Sequence, residues 1–240
     1  MMPAAIAPHG ATRGATLLID ADDTLWENNI YFEEIVGHYV DMVGRHGFSA
    51  EVARATLLEM EHHRTQQYGY GIDNFRHSLD AACHQLLNGR EYQHELTRFD
   101  DLCFTLRRRP ILLLPEVEET LRALGGRHRL IMLTKGDWDD QFAKVVRSGI
   151  WDRFHAVDVV AEKDVATYED VIERHGVDRS RAWMVGNSPK SDMLPALAVG
   201  LRTVFIPHAA TWALELKELP KVDDGRMLVL ERFADLTKHF

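Results

Sequence analysis

The stretch ATLLIDADDTLW (residues 15–26) joins a short apolar run to a cluster of three aspartates. An apolar run of this length is typical of a strand that is buried on both faces of a sheet. The aspartates follow the run directly, at Asp20, Asp22 and Asp23. In an open parallel sheet the ligand crevice lies outside the carboxyl ends of the strands. The stretch therefore predicts a buried strand and one part of a polar site.

Four further apolar runs follow, and segments with helical spacing lie between them. This alternation predicts right-handed crossovers and a parallel sheet that is covered on both faces. The expected fold class is α/β, with a three-layer Rossmann-like core. A last run, MLVLERF (227–233), would add an edge strand before a short C-terminal helix. The four runs are HRLIMLT (128–134), HAVDVVAE (155–162), RAWMVGN (181–187) and LRTVFIP (201–207), and the helical segments are 137–148, 166–175 and 190–199.

One interval contains no convincing strand. Between about Asn28 and Arg109, amphipathic stretches carry apolar residues at helical spacing, as at Ile35, Tyr39 and Val43. This pattern predicts an all-helical insert after the first strand. The predicted helices are 28–46, 50–66, 73–88 and 91–108, and the predicted organisation is a loose N-terminal tail (1–13), an α/β core (14–26 and 110–240) and the helical insert (27–109).

Composition excludes several classes of protein. The chain has 240 residues, 45% of them hydrophobic and 27% charged, so it can bury a sizeable core. Its formal charge of −9 argues against a nucleic-acid or anionic-membrane surface, which needs clustered lysine and arginine. Cys83 and Cys103 show no disulfide or zinc spacing, and no apolar run is long enough for a signal peptide or a membrane span. We expect a cytoplasmic protein, and the oligomeric state stays open.

Polar residues follow the first four predicted strands. The parallel topology brings the carboxyl ends of these strands to one edge of the sheet, so their polar residues should converge. Topology alone thus predicts a site made of carboxylates, lysine and hydroxyl groups. The converging groups are Asp20–Thr24, Thr134–Gly136, Glu162–Asp164, and Gly186–Ser188 together with Asp192.

The carboxylates of this predicted site indicate a hard metal ion. Asp20, Asp22 and Asp192, with an oxygen of Asn187 as a further candidate ligand, form an all-oxygen environment that suits Mg²⁺ rather than zinc. Mg²⁺ and Lys163 would together cancel the negative charges of the three aspartates. An anionic substrate would then no longer be repelled from the site.

The same residues suggest how such a site would react. With metal in place, Asp20 can attack an electrophile and form a covalent intermediate, as aspartate does in aspartyl-phosphate enzymes. Asp22 would protonate the leaving oxygen and then take a proton from the attacking water. Thr134 and Lys163 would hold the oxygens of a phosphoryl group, with Lys135 as a further phosphate contact.

Four segments resemble, in order and at plausible spacing, the motifs of the haloacid dehalogenase-like hydrolase superfamily. They are LLIDADDTLW, LIMLTKG, the Lys163 of VVAEKDVATYEDVI, and GNSPKSD. The resemblance implies that Asp20 is the nucleophile and a metal ligand, and that Asp22 is the general acid/base with its main-chain carbonyl on the metal. It implies that Thr134 and Lys163 bind the phosphoryl group and that Asp192 anchors Mg²⁺. The helical insert resembles the family's mobile cap, which closes over the site and supplies specificity.

Two positions depart from the family pattern. Asp23 stands where the family's phosphatases usually have glycine, and an aspartate tolerates the left-handed backbone region better than most residues, so we expect the turn to survive. Asn187 stands where many members have aspartate. Since Asp192 remains, we expect weaker or differently shared metal coordination rather than its loss.

These features predict a Mg²⁺-dependent phosphomonoester hydrolase that acts on a small phosphorylated metabolite through an aspartyl-phosphate intermediate. One alternative is a 2-haloacid dehalogenase, in which Asp20 attacks carbon without a metal, although Asp22 argues against that branch. Another alternative is a non-catalytic binding protein on the same fold. The sequence does not decide which metabolite is the substrate.

Overall fold

A computed structural model of the protein describes residues 14–88, 92–222 and 224–240. The predicted tail at 1–13 lies outside these residues. Six strands form one sheet in the order β3-β2-β1-β4-β5-β6, and each strand is parallel to its neighbours. The strands are β1 (Thr16–Ile19), β2 (Arg129–Lys135), β3 (Ala156–Val160), β4 (Ala182–Gly186), β5 (Arg202–Phe205) and β6 (Met227–Val229).

This order explains why the predicted polar groups converge. The strands that precede them, β1 to β4, are four adjacent strands of the sheet. The predicted edge strand is β6, and a 3₁₀ turn at Phe233–Lys238 takes the place of the short C-terminal helix.

Helices cover both faces of the sheet, which confirms the three-layer α/β prediction. In β1, Leu17 and Ile19 pack into one apolar cluster, while Leu18 packs into another on the opposite face. This alternation follows from the two-residue period of a strand. The first cluster includes residues of α5 and α6, and the second includes residues of α7 and α8. These helices are α5 (Val117–Gly125), α6 (Trp138–Ser148), α7 (Val165–His175) and α8 (Leu194–Ala198).

The helix predicted at 190–199 is not one regular helix. A π-helical turn at Pro189–Met193 precedes α8. The main-chain N–H groups of Asp192 and Met193 both donate to the carbonyl of Ser188, at 3.0 and 3.1 Å, which widens the turn. Such turns are often found at functional sites.

The segment between β1 and α5 folds into four helices that have an apolar core of their own. This core includes Ile35, Tyr39, Leu57, Leu79 and Phe99, all buried. The predicted helices of the insert agree with the observed ones to within two residues. Whether 27–109 is a separate domain stays a prediction. The observed helices are α1 (Asn29–Arg45), α2 (Ala50–Tyr68), α3 (Ile72–Leu87) and α4 (Gln93–Arg108).

The two connections between the insert and the sheet run side by side. The N–H of Glu27 donates to the carbonyl of Leu112 at 3.0 Å, and the N–H of Leu114 donates to the carbonyl of Leu25 at 2.9 Å. Between them, Trp26 is fully buried in the core cluster that contains Leu17. This paired connection holds the insert next to the carboxyl end of β1.

Within the described residues, no helix combines the length and the apolar character that crossing a membrane requires.

Candidate active site

Asp20 lies one residue beyond β1 and is held at both carboxylate oxygens. Lys163 Nζ lies 2.6 Å from Oδ1, and the hydroxyl of Thr24 donates to Oδ2 at 2.8 Å. Burial raises the pKa of Asp20 to about 7; Lys163 opposes this shift and Asp192 adds to it. The site thus holds more buried negative charge than its lysine compensates.

The turn after Asp20 survives the replacement of glycine by Asp23, as expected. Asp23 adopts a left-handed backbone with a φ of 60°. Its carboxylate accepts hydrogen bonds from the main-chain N–H groups of Asn28 and Asn29, at 2.8 and 3.0 Å. The Asp23 side chain therefore caps the N-terminus of α1, where a negative charge is favourable. Burial raises the pKa of Asp23 to about 7, and Asp22 adds to this effect.

Lys163 joins Asp20 to Asp192. Its ammonium group lies 2.6 Å from Asp20 and 2.8 Å from Asp192, and both residues of the second pair are almost fully buried. Burial alone would lower the pKa of Lys163, but Asp192 and Asp20 outweigh it and raise that pKa. The π-helical turn and Gly186 position Asp192, because a Cβ atom at Gly186 would lie only 2.1 Å from Asp192 Oδ2.

Asp22 faces a lysine that the sequence analysis missed. Lys144 Nζ lies 2.7 Å from one oxygen of Asp22 and 2.6 Å from the other. The indole N–H of Trp26 donates to Asp22 at 2.7 Å, and the side-chain amide of Gln141 donates to it at 3.1 Å. Lys144 and Gln141 lie three residues apart on α6, so they share a helix face. That spacing, on the helix that follows the second motif, is the signal that was available.

Thr134 lies near the end of β2, and its hydroxyl is buried. It accepts a hydrogen bond of 2.5 Å from the side-chain amide of Gln141. Gly136, two residues later, has a φ of 153°, and a Cβ atom there would lie 2.8 Å from Gln141. A glycine at this position therefore lets Gln141 reach both Thr134 and Asp22.

Lys135 was expected to bind phosphate, but its ammonium group already has protein partners. It lies 2.6 Å from Glu215, donates to the Ser191 hydroxyl at 2.8 Å and lies 3.3 Å from Glu162. Although burial opposes it, Lys135 lowers the pKa of Glu215 to about 2. The phosphate contact of Lys135 stays a prediction. Glu215 lies far along the chain in a segment without periodicity, so no sequence pattern indicated it.

Asn187 lies beside Thr24 of the first motif. Its side-chain carbonyl accepts from the Thr24 hydroxyl at 3.4 Å, and its amide donates to the Thr211 hydroxyl at 3.1 Å. Ser188 caps the π-helical turn, since its hydroxyl oxygen accepts from the N–H of Ser191 at 2.9 Å. Asn187 thus connects the carboxyl ends of β1 and β4 to the loop after β5.

A second group of potential metal ligands lies next to the site. The ligand atoms of Asp23, Glu27 and His208 all lie within 4.8 Å of one another. The predicted ligands are arranged differently, because Asp20 and Asp192 share Lys163 while the carboxylate of Asp22 faces Lys144.

The site opens into a cavity between the insert and the sheet. Of the aromatic residues near the junction, Tyr31, Phe32 and Tyr70 line this cavity, whereas Trp26 belongs to the core and Tyr68 is 59% exposed outside it. Contacts close the cavity at its rim. The Tyr70 hydroxyl donates to Glu162 at 2.6 Å, the N–H of Ile72 donates to Asp140 at 3.0 Å, and Arg107 donates to Asp140 at 3.0 Å.

Comparison with known proteins shows the family to which the chain belongs. A family model described as haloacid dehalogenase-like hydrolase matches residues 15–200, which include all four motifs. The chain belongs to this family and is a hydrolase, as its motifs predicted.

Individual relatives give a more detailed picture. The chain is 26% identical over 207 residues to the glyceraldehyde 3-phosphate phosphatase of Pyrococcus abyssi, which covers 80% of this chain and 81% of that protein. A haloacid dehalogenase-like family hydrolase from Xanthomonas campestris has a TM-score of 0.83 at 24% identity, over 98% of this chain and 93% of that chain. The L-2-haloacid dehalogenase of Xanthobacter autotrophicus, with chloropropionic acid covalently bound, has a TM-score of 0.60 at 18% identity, over 94% of this chain and 97% of that chain. Both structures share the fold.

Proposed function

We propose that this hydrolase is a Mg²⁺-dependent phosphomonoesterase that acts on a small phosphorylated metabolite. The observation that carries the proposal is the pair of buried carboxylates, Asp20 and Asp192, which share a single buried lysine. A third carboxylate, Asp22, follows Asp20 by two residues and is the candidate acid/base partner. The similarity to a phosphatase over most of both chains supports the same reading.

The donor set fits Mg²⁺. Asp20 and Asp192 are hard oxygen ligands, and burial together with Asp192 raises the pKa of Asp20 to about 7, a cost that a divalent cation would offset. Asp20, the main-chain carbonyl of Asp22, and Asp192 would hold the ion, with Asn187 as a further candidate ligand. When bound, the ion supplies positive charge for the phosphoryl oxygens and for the carboxylates.

Asp20 is the proposed nucleophile. One of its carboxylate oxygens attacks phosphorus, and the bond from phosphorus to the leaving alcohol breaks as the bond to Asp20 forms. Lys163 and the Thr24 hydroxyl fix the orientation of the carboxylate. Lys163 and the Thr134 hydroxyl then contact the oxygens of the transferred group, where the charge of the transition state is spread.

Asp22 is the proposed general acid and base. It gives its proton to the leaving oxygen and later takes one from the water that hydrolyses the aspartyl phosphate, so the enzyme returns to its starting state. Lys144 would compensate the charge that Asp22 carries once it has given up its proton. The Lys144–Asp22 pair can then be left out of the charge count. The divalent ion and Lys163 together carry three positive charges and Asp20 and Asp192 carry two negative ones, so the net charge of the site would be +1. Such a site attracts a phosphate ester.

The insert is the proposed cap, over the range 27–109. Its contacts to the sheet side include hydrogen bonds and an ion pair, from Tyr70 to Glu162 and from Ile72 and Arg107 to Asp140, beside the edge-to-face contact of the Tyr70 and Trp212 rings. Polar contacts of this kind can open and re-form in water. The paired connection at Trp26 would then serve as the hinge.

The proposed function is tested by titrating MgCl₂ into metal-free protein with p-nitrophenyl phosphate as substrate. We expect turnover to require the metal, and Asp20→Asn to lower kcat by about four orders of magnitude while the circular dichroism spectrum is unchanged. Near-normal turnover by Asp20→Asn would exclude the mechanism. A flat response to the metal with a panel of esters would favour a binding protein.

The Lys144–Asp22 pair favours one second candidate, a 2-haloacid dehalogenase. Such an enzyme needs no acid at position 22, and a lysine that occupies both oxygens of Asp22 makes it a poorer proton carrier. Chloride release from 2-chloropropionate in the presence of a chelator would support this candidate. The absence of chloride release, together with Mg²⁺-dependent phosphate release, would reject it.

A further inference from the structure

We propose that Glu61 binds a positively charged amine on the leaving group of the substrate. The inference rests on the proposed phosphatase function and narrows it to phosphate esters of amine-bearing alcohols or phenols. Glu61 lies on α2 of the insert and lines the same cavity as Asp20, Thr134 and Lys163. Glu61 therefore borders the space that the leaving group would occupy.

A chain of contacts fixes the position of Glu61 relative to the reacting atoms. Lys135 directly follows Thr134, and its ammonium group lies 4.3 Å from the centre of the Tyr70 ring. The Tyr70 ring lies 6.0 Å from that of Trp212, in the loop after β5, and the Trp212 side chain lies close enough to Glu61 to act on its carboxylate. Glu61 thus lies several side chains away from the phosphoryl site, at the part of the cavity that the insert supplies.

The carboxylate of Glu61 lacks a compensating cation. Among the residues that the structure describes, the groups that act on it are the Trp212 indole and the Glu33 carboxylate. Burial raises the pKa of Glu61 to about 7, and Glu33 adds to the effect. The nearby Arg54 is bound to Glu33 at 2.8 Å. A cationic substrate group would supply the missing partner.

Three other polar side chains on this wall, those of Thr65, Ser78 and Asn74, already have protein partners. The Thr65 hydroxyl donates to the carbonyl of His62 at 3.1 Å, and the Ser78 hydroxyl donates to the carbonyl of Asn74 at 2.9 Å. The Asn74 side chain both accepts from Arg64 and donates to a main-chain carbonyl. The hydrogen-bonding groups of these three neighbours are thus occupied, whereas the Glu61 carboxylate can still accept hydrogen bonds from a ligand.

Apolar side chains of the same cavity define the rest of the leaving group. Phe32 and Phe75 line the cavity and pack edge to face, with ring centres 5.0 Å apart, and Val36 and Ile72 line it beside them. An organic body with an amine at its far end matches this wall. A carboxylate or a second phosphate at that end would meet Glu61 and Glu33 and be repelled.

The test uses three phenyl phosphates that differ only in the para substituent: 4-(aminomethyl)phenyl phosphate, 4-methylphenyl phosphate and 4-carboxyphenyl phosphate. The rate of phosphate release in the presence of Mg²⁺, measured at several substrate concentrations, gives kcat/KM for each of the three compounds. We expect the wild-type protein to prefer the aminomethyl over the methyl compound by about tenfold and to use the carboxy compound least. Glu61→Gln should reduce the preference for the amine to within about twofold of unity.

Two variants serve as controls. Glu59→Gln makes the same charge change at an exposed position of the same helix, and it should keep the wild-type preference. Glu61→Asp keeps the charge on a shorter side chain and should keep part of the preference. Equal kcat/KM values for the three compounds in the wild type, or a preference that persists in Glu61→Gln, would overturn the inference and leave the phosphatase proposal standing. No phosphate release from any compound would overturn both.

Discussion

The two ends of the cavity differ in how their charges are compensated. At the sheet end, Asp20 and Asp192 share the charge of Lys163, and Asp22 has Lys144 as its partner. At the insert end, Glu61 faces no cation among the described residues. In our proposal, the sheet end is the reaction centre, and Asp20 and Asp192 would bind the metal ion there. In our proposal, the insert end is the recognition surface, and the substrate supplies the cationic partner of Glu61.

The largest effect is expected when the positive charge that Asp20 and Asp192 share at the sheet end is removed. Lys163→Met leaves Asp20 and Asp192 buried without their counter-charge, and we expect it to lower the free energy of unfolding by about 3–5 kcal/mol in metal-free buffer. Urea denaturation measures the loss. Saturating MgCl₂ should recover part of it, because the ion would take over the neutralisation. Lys217→Met, at an exposed position, is the control and should change stability little. A Lys163 variant as stable as that control would contradict this account.

A smaller effect concerns the pH dependence of the same end. The pKa of Asp20 is raised from 3.8 to about 7 in the folded protein, so the folded state loses stability as pH rises from about 4 to about 7 and Asp20 ionises. Asp20→Asn removes this cost. In metal-free buffer we expect the variant to exceed the wild type by about 3 kcal/mol at pH 8 and to match it near pH 4. Urea midpoints across this range measure the difference, and a difference that does not vary with pH would refute the prediction.

Variants of Lys144 test whether this residue acts on Asp22 by orienting its carboxylate or only by its positive charge. Lys144→Met releases Asp22 from its bidentate contact, and we expect kcat for p-nitrophenyl phosphate to fall about tenfold with KM little changed. Steady-state kinetics measure the split. Lys144→Arg, which keeps the charge, should recover part of kcat. An increase in kcat for Lys144→Met would instead mean that Lys144 restrains Asp22.

The smallest expected effect lies at the insert end. Tyr70→Phe removes the hydrogen bond from the Tyr70 hydroxyl to Glu162 but keeps the ring next to Lys135. We expect KM to rise about threefold with kcat within about twofold of the wild-type value, because only one polar contact between the insert and the sheet is lost. Tyr68→Phe is the matched control on an exposed ring. A change in kcat as large as that of Lys144→Met would place Tyr70 in the reaction centre.

The sequence predicted the fold and the sheet end of the site because both depend on local patterns. Apolar runs, helical spacing and the polar residues that follow each strand were enough to bring Asp20, Lys163 and Asp192 together. The four strands that carry these residues are neighbours in the sheet, so the convergence follows from topology.

The insert end was not predicted because its contacts join segments that share no pattern. Trp212 and Glu215 lie in a loop without strand periodicity, and they meet Glu61 and Lys135 only in the folded chain. The replacement of a regular helix by a π-helical turn after Ser188 was missed for a related reason. Helical spacing over so few residues does not distinguish an α-helical from a π-helical turn. The structure has the π-helical turn, and Asp192 within it pairs with the buried Lys163.

The side-by-side connections at Trp26 have a consequence for how this architecture can change. Glu27 is hydrogen-bonded to Leu112, and Leu25 to Leu114, so the chain leaves the sheet domain and returns to it at neighbouring points. A tight turn could bridge that gap. All of α1–α4 could then be removed or exchanged for an unrelated segment without shifting a single strand of the sheet. Evolution could therefore vary the proposed recognition module by insertion and deletion while the strands that carry the proposed reaction centre are inherited unchanged.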